Sequence, residues 1–232
     1  MRTIIELFET SVEKYPANIY LWEKQNGKYE GTTYRQTHDL VYRFGAGLQA
    51  LGLQKGDRVG LISEGRNAWI ISELGILYCG CKMIVVSKGH ASKIEQIRNE
   101  LPDLEKVIYL DGKENQGAND ISYNDVSALG DKYLKTNRAD FEAGYQTIGP
   151  DDIANISYTS GTTADPKGIM ISQLNYAANV VQANTLLDIT PEWKTLAFLP
   201  WDHCFAHTSC LYCFMYNGAS VASLEVGKTP ME

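Results

Sequence analysis

The sequence predicts an α/β fold: a mixed, mainly parallel sheet with covering helices. Three observations point there. Apolar runs of strand length alternate with segments of helical period between residues 33 and 110, the alternation returns between 153 and 199, and the 232 residues are 44% hydrophobic and 21% charged, as in a packed globular chain. A chain of this size can bury roughly 70–75% of the surface its open form exposes, so its core needs no covalent staples. No fixed-period repeat occurs, which excludes solenoids and propellers.

The elements follow in order. Ile4, Ile5, Leu7, Phe8 and Val12 recur at helical spacing over residues 3–15, and Pro16 ends that helix. Ile19-Tyr20-Leu21-Trp22 and Lys28-Tyr29-Glu30 flank Asn26-Gly27, the strongest two-residue hairpin signal because both positions tolerate φ > 0. Thr33 is placed to cap a helix whose inward face is Leu40, Val41, Phe44, Leu48 and Leu51, with Gly52 closing it. A buried strand is expected over Asp57–Ser63 and a helix through Trp69, Ile70, Leu74 and Leu77. A strand (Lys82 to Ser87), a helix (about Ala91 to Leu101, stopped by Pro102) and a strand (Val107 to Leu110) continue the alternation. Between Asp111 and Pro150 the pattern dissolves into Gly, Asn, Asp and Lys, so a surface connection with a little helix is expected. Then come a strand at Ile153 to Tyr158, a glycine loop, a helix from Ser172 to about Leu187, and a strand at Thr195 to Leu199.

Charge and cysteine content narrow the function classes. With 28 acidic against 21 basic residues the net charge is −7, so no basic field draws nucleic acid, and phosphate recognition has to be local. The N-terminus lacks the apolar stretch of a signal peptide, and the greasiest run, Trp69 to Val86, is interrupted by Glu73 and Lys82, so no membrane span is expected. Cys79, Cys81, Cys204, Cys210 and Cys213 form an odd set without framework spacing, as expected of reduced thiols in a cytoplasmic protein.

The chemistry concentrates in Thr159-Ser160-Gly161-Thr162-Thr163-Ala164-Asp165-Pro166-Lys167-Gly168. Glycines let backbone N–H groups approach an oxyanion, hydroxyls donate to it or ligate Mg²⁺, and a lysine supplies a point charge. The P-loop template Gly-x-x-x-x-Gly-Lys-[Ser/Thr] fails twice here, because Pro166 stands where its second glycine would and Gly168 follows Lys167. A flexible Gly/Ser/Thr turn is the plain alternative, but a turn has no need of a lysine between proline and glycine.

Tyr158 to Gly168 resembles the signature Tyr-Thr-Ser-Gly-Thr-Thr-Gly-x-Pro-Lys-Gly of the adenylate-forming (AMP-binding) acyl-CoA synthetases, luciferases and peptide-synthetase adenylation domains, departing from it at Ala164. Thr33-Tyr34-Arg35, the run Gly52 to Val59 and the run Ser63 to Trp69 are similar to the family's early motifs. Leu199-Pro200-Trp201-Asp202-His203-Cys204-Phe205-Ala206-His207-Thr208 resembles its next motif, in the form nearest the long-chain fatty acid:CoA ligases.

The resemblance implies an AMP-forming acid–thiol ligase: a carboxylate attacks the α-phosphate of ATP, pyrophosphate leaves, and coenzyme A then displaces AMP. ATP, Mg²⁺ and CoA are the implied cofactors or substrates, with a fatty acid or other carboxylic acid as partner. Lys167, Thr163 and His203 become candidate catalytic residues; Thr159, Ser160, Gly161, Thr162, Thr163, Lys167 and Gly168 candidate nucleotide contacts; and Thr163 a candidate Mg²⁺ contact. Alanine at position 164 would cost about 1–2 kcal/mol if the loop needs φ > 0 there.

Against the family pattern, one βα unit is expected to be missing near residues 82–87. Residues 1–232 correspond to the N-terminal part of the large domain, without the C-terminal lysine-bearing domain, so this chain alone is expected to be inactive. Other readings stay open: another acyl or aryl acid as substrate, a non-catalytic nucleotide-binding or interaction chain, or an unfinished sheet whose open edge pairs two copies into a homodimer. A zinc site from His203, His207, Cys204, Cys210 and Cys213 competes poorly with a core helix carrying small thiols. Arg66 is expected to pair with a local carboxylate, His38 and His90 to be solvated, and Trp22, Trp69 and Trp193 to pack.

Overall fold

In the computed structural model, residues 2–78, 82–112, 120–159 and 166–225 are described, Lys82 and Thr159 by their backbone alone. Cys79 and Cys81 lie outside them. The chain divides into two compact units, residues 1–37 with 148–232, and residues 38–147. Mixed α/β architecture is present in each, as the sequence predicts.

The first unit opens with α1 (Ile4–Lys14), capped by Thr3 Oγ1, which accepts from Glu6 N at 3.1 Å. Strands β1 (Ile19–Gln25) and β2 (Lys28–Thr33) form the expected hairpin, with Asn26 at φ 51° and Gly27 at φ 80°, the left-handed pair of a type I′ turn. Late in the chain, β9 (Lys194–Ala197) and β10 (Ser220–Ser223) join this hairpin in the order β2-β1-β10-β9, parallel across β1–β10 and β10–β9. The remaining elements are the hairpin β7 (Ile153–Thr159) and β8 (Lys167–Ser172), helix α6 (Gln173–Ala183), and an unbroken helical run. That run is α7 (Cys204–Ala206), a π-helical stretch (His207–Tyr212) and α8 (Cys213–Tyr216). Helix α1 packs on α6 and α8, burying Ile4, Leu7 and Phe8 completely. Tyr34 centres this core: its ring stacks on Tyr20 at 4.8 Å, and its hydroxyl lies 2.8 Å from Ala219 O and 3.0 Å from Met215 O. Trp193 is about half exposed rather than packed, and Trp201 is the buried tryptophan of this region.

Helix α2 (Tyr34–Ala50) begins with a reciprocal cap, Thr33 Oγ1 accepting from Gln36 N and Gln36 Oε1 from Thr33 N, and ends at Gly52 with φ 95°. Most of it belongs to the second unit. There β3 (Arg58–Ile62), β4 (Lys82–Val86), β5 (Lys106–Tyr109) and β6 (Ile121–Ser122) form an all-parallel sheet in sequence order. The expected buried strand at 57–63 is instead half-exposed to exposed, because among the described residues β3 is the sheet's edge and pairs with β4 alone. Helices α3 (Asn67–Leu77) and α4 (Lys88–Ile97) make the crossovers, and Ile94 closes on Val86, Val107 and Tyr109. Strand β4 pairs in register with both β3 and β5.

The largest correction is α5 (Tyr123–Gln146), a long helix where a surface connection was expected. Its buried face is Val126, Gly130, Leu134 and Phe141. Gly130 reads as a breaker in the sequence, yet here it permits contact: a Cβ on it would lie 1.7 Å from Arg43 O, and one on Gly47 of α2 would lie 2.0 Å from Val126 O. The backbones of α2 and α5 thus meet where only glycine fits. Asn137, whose Nδ2 donates to Tyr133 O at 3.1 Å, kinks α5 with non-helical φ −123° and ψ 21°.

Polar groups join the strand ends of this unit. Arg66 pairs with a carboxylate at 2.5 Å, but the partner is Asp111, 45 residues on, and not a local one; Asp111 Oδ2 also accepts from Lys88 N at 2.7 Å, capping α4 from the end of β5. His38 and His90 are not solvated. His38 is buried with its ring centroid 4.1 Å from that of Tyr42, and half-buried His90 has Nε2 3.7 Å from Glu64 Oε1. Both sit where helix faces bring carboxylate or aromatic neighbours that spacing alone does not reveal.

Candidate functional site

The expected strand–loop–helix is a strand–loop–strand. After a bulge, β7 and β8 pair antiparallel as Asn155↔Ile171, Ile156↔Met170, Ser157↔Ile169, Tyr158↔Gly168 and Thr159↔Lys167. The loop that carries the signature therefore closes on the Thr159–Lys167 pair. Ser160, Gly161, Thr162, Thr163 and Ala164 lie outside the described residues, and with them the expectations of an Mg²⁺ contact at Thr163 and of a cost for alanine at 164. Lys167 opens β8 and is exposed. Gly168 faces Tyr158 so closely that a Cβ would meet Ile156 Cγ2 at 3.1 Å and Tyr158 Cε1 at 3.3 Å. The tyrosine ring takes the space a side chain would need, which pins the strand just after Lys167. Strand β8 ends in a capping box in which Ser172 Oγ accepts from Asn175 N and Asn175 Oδ1 from Ser172 N, and α6 starts there.

His203 stands on a neighbouring segment. Trp201 anchors it, buried, with Nε1 donating to Ala197 O at 3.1 Å. His203 N donates to Pro200 O at 3.2 Å, and His203 Nδ1 accepts from Phe205 N at 3.2 Å, capping α7. An Nδ1 that accepts carries no proton, so the neutral ring holds its proton on Nε2 and presents a donor there. The two segments meet at Ser157, whose Oγ is 2.9 Å from Asn155 Oδ1 and 3.4 Å from Asp202 O. Asn155, Ser157 and Asp202 carry no site role in the sequence reading; a run of polar side chains inside a strand that leads into the loop is the signal that marks them.

His207 is fully buried, its ring centroid 5.4 Å from that of Tyr176 and 5.6 Å from that of Tyr212. Among the described residues no three His, Cys, Asp or Glu side chains are placed to hold a metal, so the zinc alternative has no cage. Burial pushes the Cys213 thiol up to about 11, which keeps it protonated and inert, while Cys204 is exposed. Any Mg²⁺ at the loop would depend on substrate phosphate oxygens and hydroxyls, the hard donors it prefers.

The AMP-binding enzyme family matches residues 8–231, and the chain belongs to it. Fatty acyl-CoA synthetase A of Dictyostelium discoideum is 28% identical over 80% of this chain and 31% of its own length. Long chain acyl-CoA synthetase 5 of Arabidopsis thaliana is 27% identical over 93% of this chain and 37% of its own. The chain thus spans about a third of the length of the curated relatives it matches. A fatty acyl-adenylate ligase from L. pneumophila, solved with acyl adenylate and pyrophosphate, superposes with a TM-score of 0.73 over 97% of this chain and 40% of its own, at 22% identity, so it shares the fold. Among the described residues no helix is long and apolar enough to cross a membrane.

Proposed function

We propose that this chain is the N-terminal, ATP-phosphate-binding part of the large domain of an AMP-forming long-chain fatty acid:CoA ligase. The observation that carries the reading is the hairpin β7–β8, which presents the signature loop from a closed stem with Lys167 at its exposed edge. Charge develops on phosphate oxygens when the carboxylate attacks and pyrophosphate departs. The Lys167 ammonium, the hydroxyls of Ser160, Thr162 and Thr163, and backbone N–H groups around Gly161 and Gly168 offset that charge, since preorganised donors need no reorganisation during the step. Thr163 would help to hold Mg²⁺, which would supply Lewis-acid neutralisation of the same oxygens. His203, holding its proton on Nε2, donates toward the acyl carboxylate and the adenylate. The names of the relatives support a long acyl chain, and CoA serves as acceptor of the second step with residues beyond the matched third.

Calorimetry with MgATP tests the reading on the chain as it is. One saturable site is expected, weakened about 10- to 150-fold in Lys167→Ala, the loss of one charge-assisted contact of roughly 1.5–3 kcal/mol. No heat in the wild-type chain, or equal affinity in the variant, contradicts it.

A further inference from the structure

We propose that Ser157 is a positioning residue that couples the phosphate-loop strand to His203. The significance of the coupling rests on the ligase reading, but the coupling itself is a property of the ligand-free chain. Asp202 and His203 share one peptide plane, and that plane is held at both ends. Its carbonyl faces Ser157 Oγ at 3.4 Å, while its N–H donates to Pro200 O at 3.2 Å. The His203 ring is then held by the Phe205 N–H on Nδ1. Fixing the peptide fixes where the ring starts, and fixing Nδ1 fixes which nitrogen carries the proton.

The other end of the link reaches the loop. Ser157 stands two positions before Thr159 on β7, and it pairs with Ile169, two positions after Lys167 on β8. The hairpin residues whose side chains are described are half-exposed to exposed, so the packing that orients them is thin and a polar tether matters more than it would in a core.

The hydroxyl has one proton and two carbonyl oxygens within reach, Asn155 Oδ1 at 2.9 Å and Asp202 O at 3.4 Å. A side-chain amide presents its oxygen or its NH₂ according to the network around it. When Asn155 turns its NH₂ to Ser157 Oγ, the serine proton is released to Asp202 O and the chain Asn155→Ser157→Asp202 is complete. In this structure Asn155 presents Oδ1, the nearer acceptor at 2.9 Å, so it competes with Asp202 O at 3.4 Å for the serine proton. Asn155 is therefore the second member of the device: it sets how much of the Ser157 proton reaches Asp202 O, and alanine there removes the competing acceptor.

Amide hydrogen exchange on the whole chain tests this without ligand. In Ser157→Ala, exchange at the His203 and Phe205 amides should rise roughly three- to tenfold, the range one neutral hydrogen bond supports, and in Asn155→Ala, which removes the competing acceptor, it should fall below the wild-type rate. Ser157→Thr, which keeps a hydroxyl, should leave both amides at the wild-type rate, and amides within α6 should not respond in any variant. Unchanged rates at His203 and Phe205 in Ser157→Ala overturn the proposal, as does an equal rise in Ser157→Thr. Should the Ser157→Ala chain fail to fold, Asn155→Ala decides alone: slower exchange at both amides supports the coupling, and unchanged or faster exchange overturns it. Calorimetry with MgATP on the same samples separates the two claims: absence of ATP binding with the expected exchange pattern rejects the ligase reading and leaves the coupling standing, and ATP binding without that pattern does the reverse.

Discussion

The contact of α2 with α5 and the hairpin β7–β8 are opposite solutions to placing a glycine. In the first, Gly47 and Gly130 let two helix backbones touch, so that any added carbon would collide with a carbonyl oxygen at 2.0 or 1.7 Å. In the second, Gly168 lies under the exposed Tyr158 ring beside an exposed lysine. Backbone contact cannot give way, so the helix pair is where stability resides. The hairpin buries little and leaves donors facing outward, the arrangement that binding requires and stability does not.

Substitutions sharpen that contrast. Gly130→Ala should cost about 3 kcal/mol or more, since its Cβ meets the Arg43 carbonyl and not a flexible side chain, and a urea melt reads the loss directly. A cost below about 1 kcal/mol would mean that α5 can slide, and would remove the helix contact from the account. A smaller effect belongs to the strand ends of the same unit. Burial alone would raise the Asp111 carboxyl, but the Lys88 N–H and the Arg66 guanidinium outweigh it and hold it below its ordinary 3.8. A depressed carboxyl contributes stability that is complete above its unfolded value and is lost as pH falls through the folded one. Stability should therefore decline as pH drops below about 4, and Asp111→Asn should flatten that decline while lowering stability at neutral pH by about 1 kcal/mol. Smallest of all, Met170→Ala on the hairpin should change stability by less than about 0.5 kcal/mol, because the side chain is 68% exposed. A loss above 1 kcal/mol would show that something covers the hairpin.

The sequence made the hairpin at Asn26-Gly27, helix α1, the capped helix α2 and the βαβ alternation legible, because each is fixed by local chemistry: a φ > 0 pair, a hydroxyl cap, an apolar period. It concealed α5, whose buried positions include Gly130, a residue that reads as punctuation unless its partner backbone is known. It concealed β8 as well, because Lys167-Gly168 reads as the end of a loop, and Ile169-Met170-Ile171 is too short and too exposed to announce a strand. The loop's chemistry was legible because residue types alone carry it. The tether from Ser157 to Asp202 was not, since it joins segments 45 residues apart. The burial of His38 against Tyr42, on the next turn of its helix, and the contacts of His207 with Tyr212 and the more distant Tyr176 were likewise missed.

Residue-resolved chemical-shift mapping during a MgATP titration bears most directly on the outward-facing hairpin as the place where phosphate is held. The shifts should centre on residues 157–159 and 167–169 with a second group at 202–205, and residues 82–112 should remain still. Saturable shifts centred in 82–112, with Lys167 and Gly168 unmoved, would contradict it.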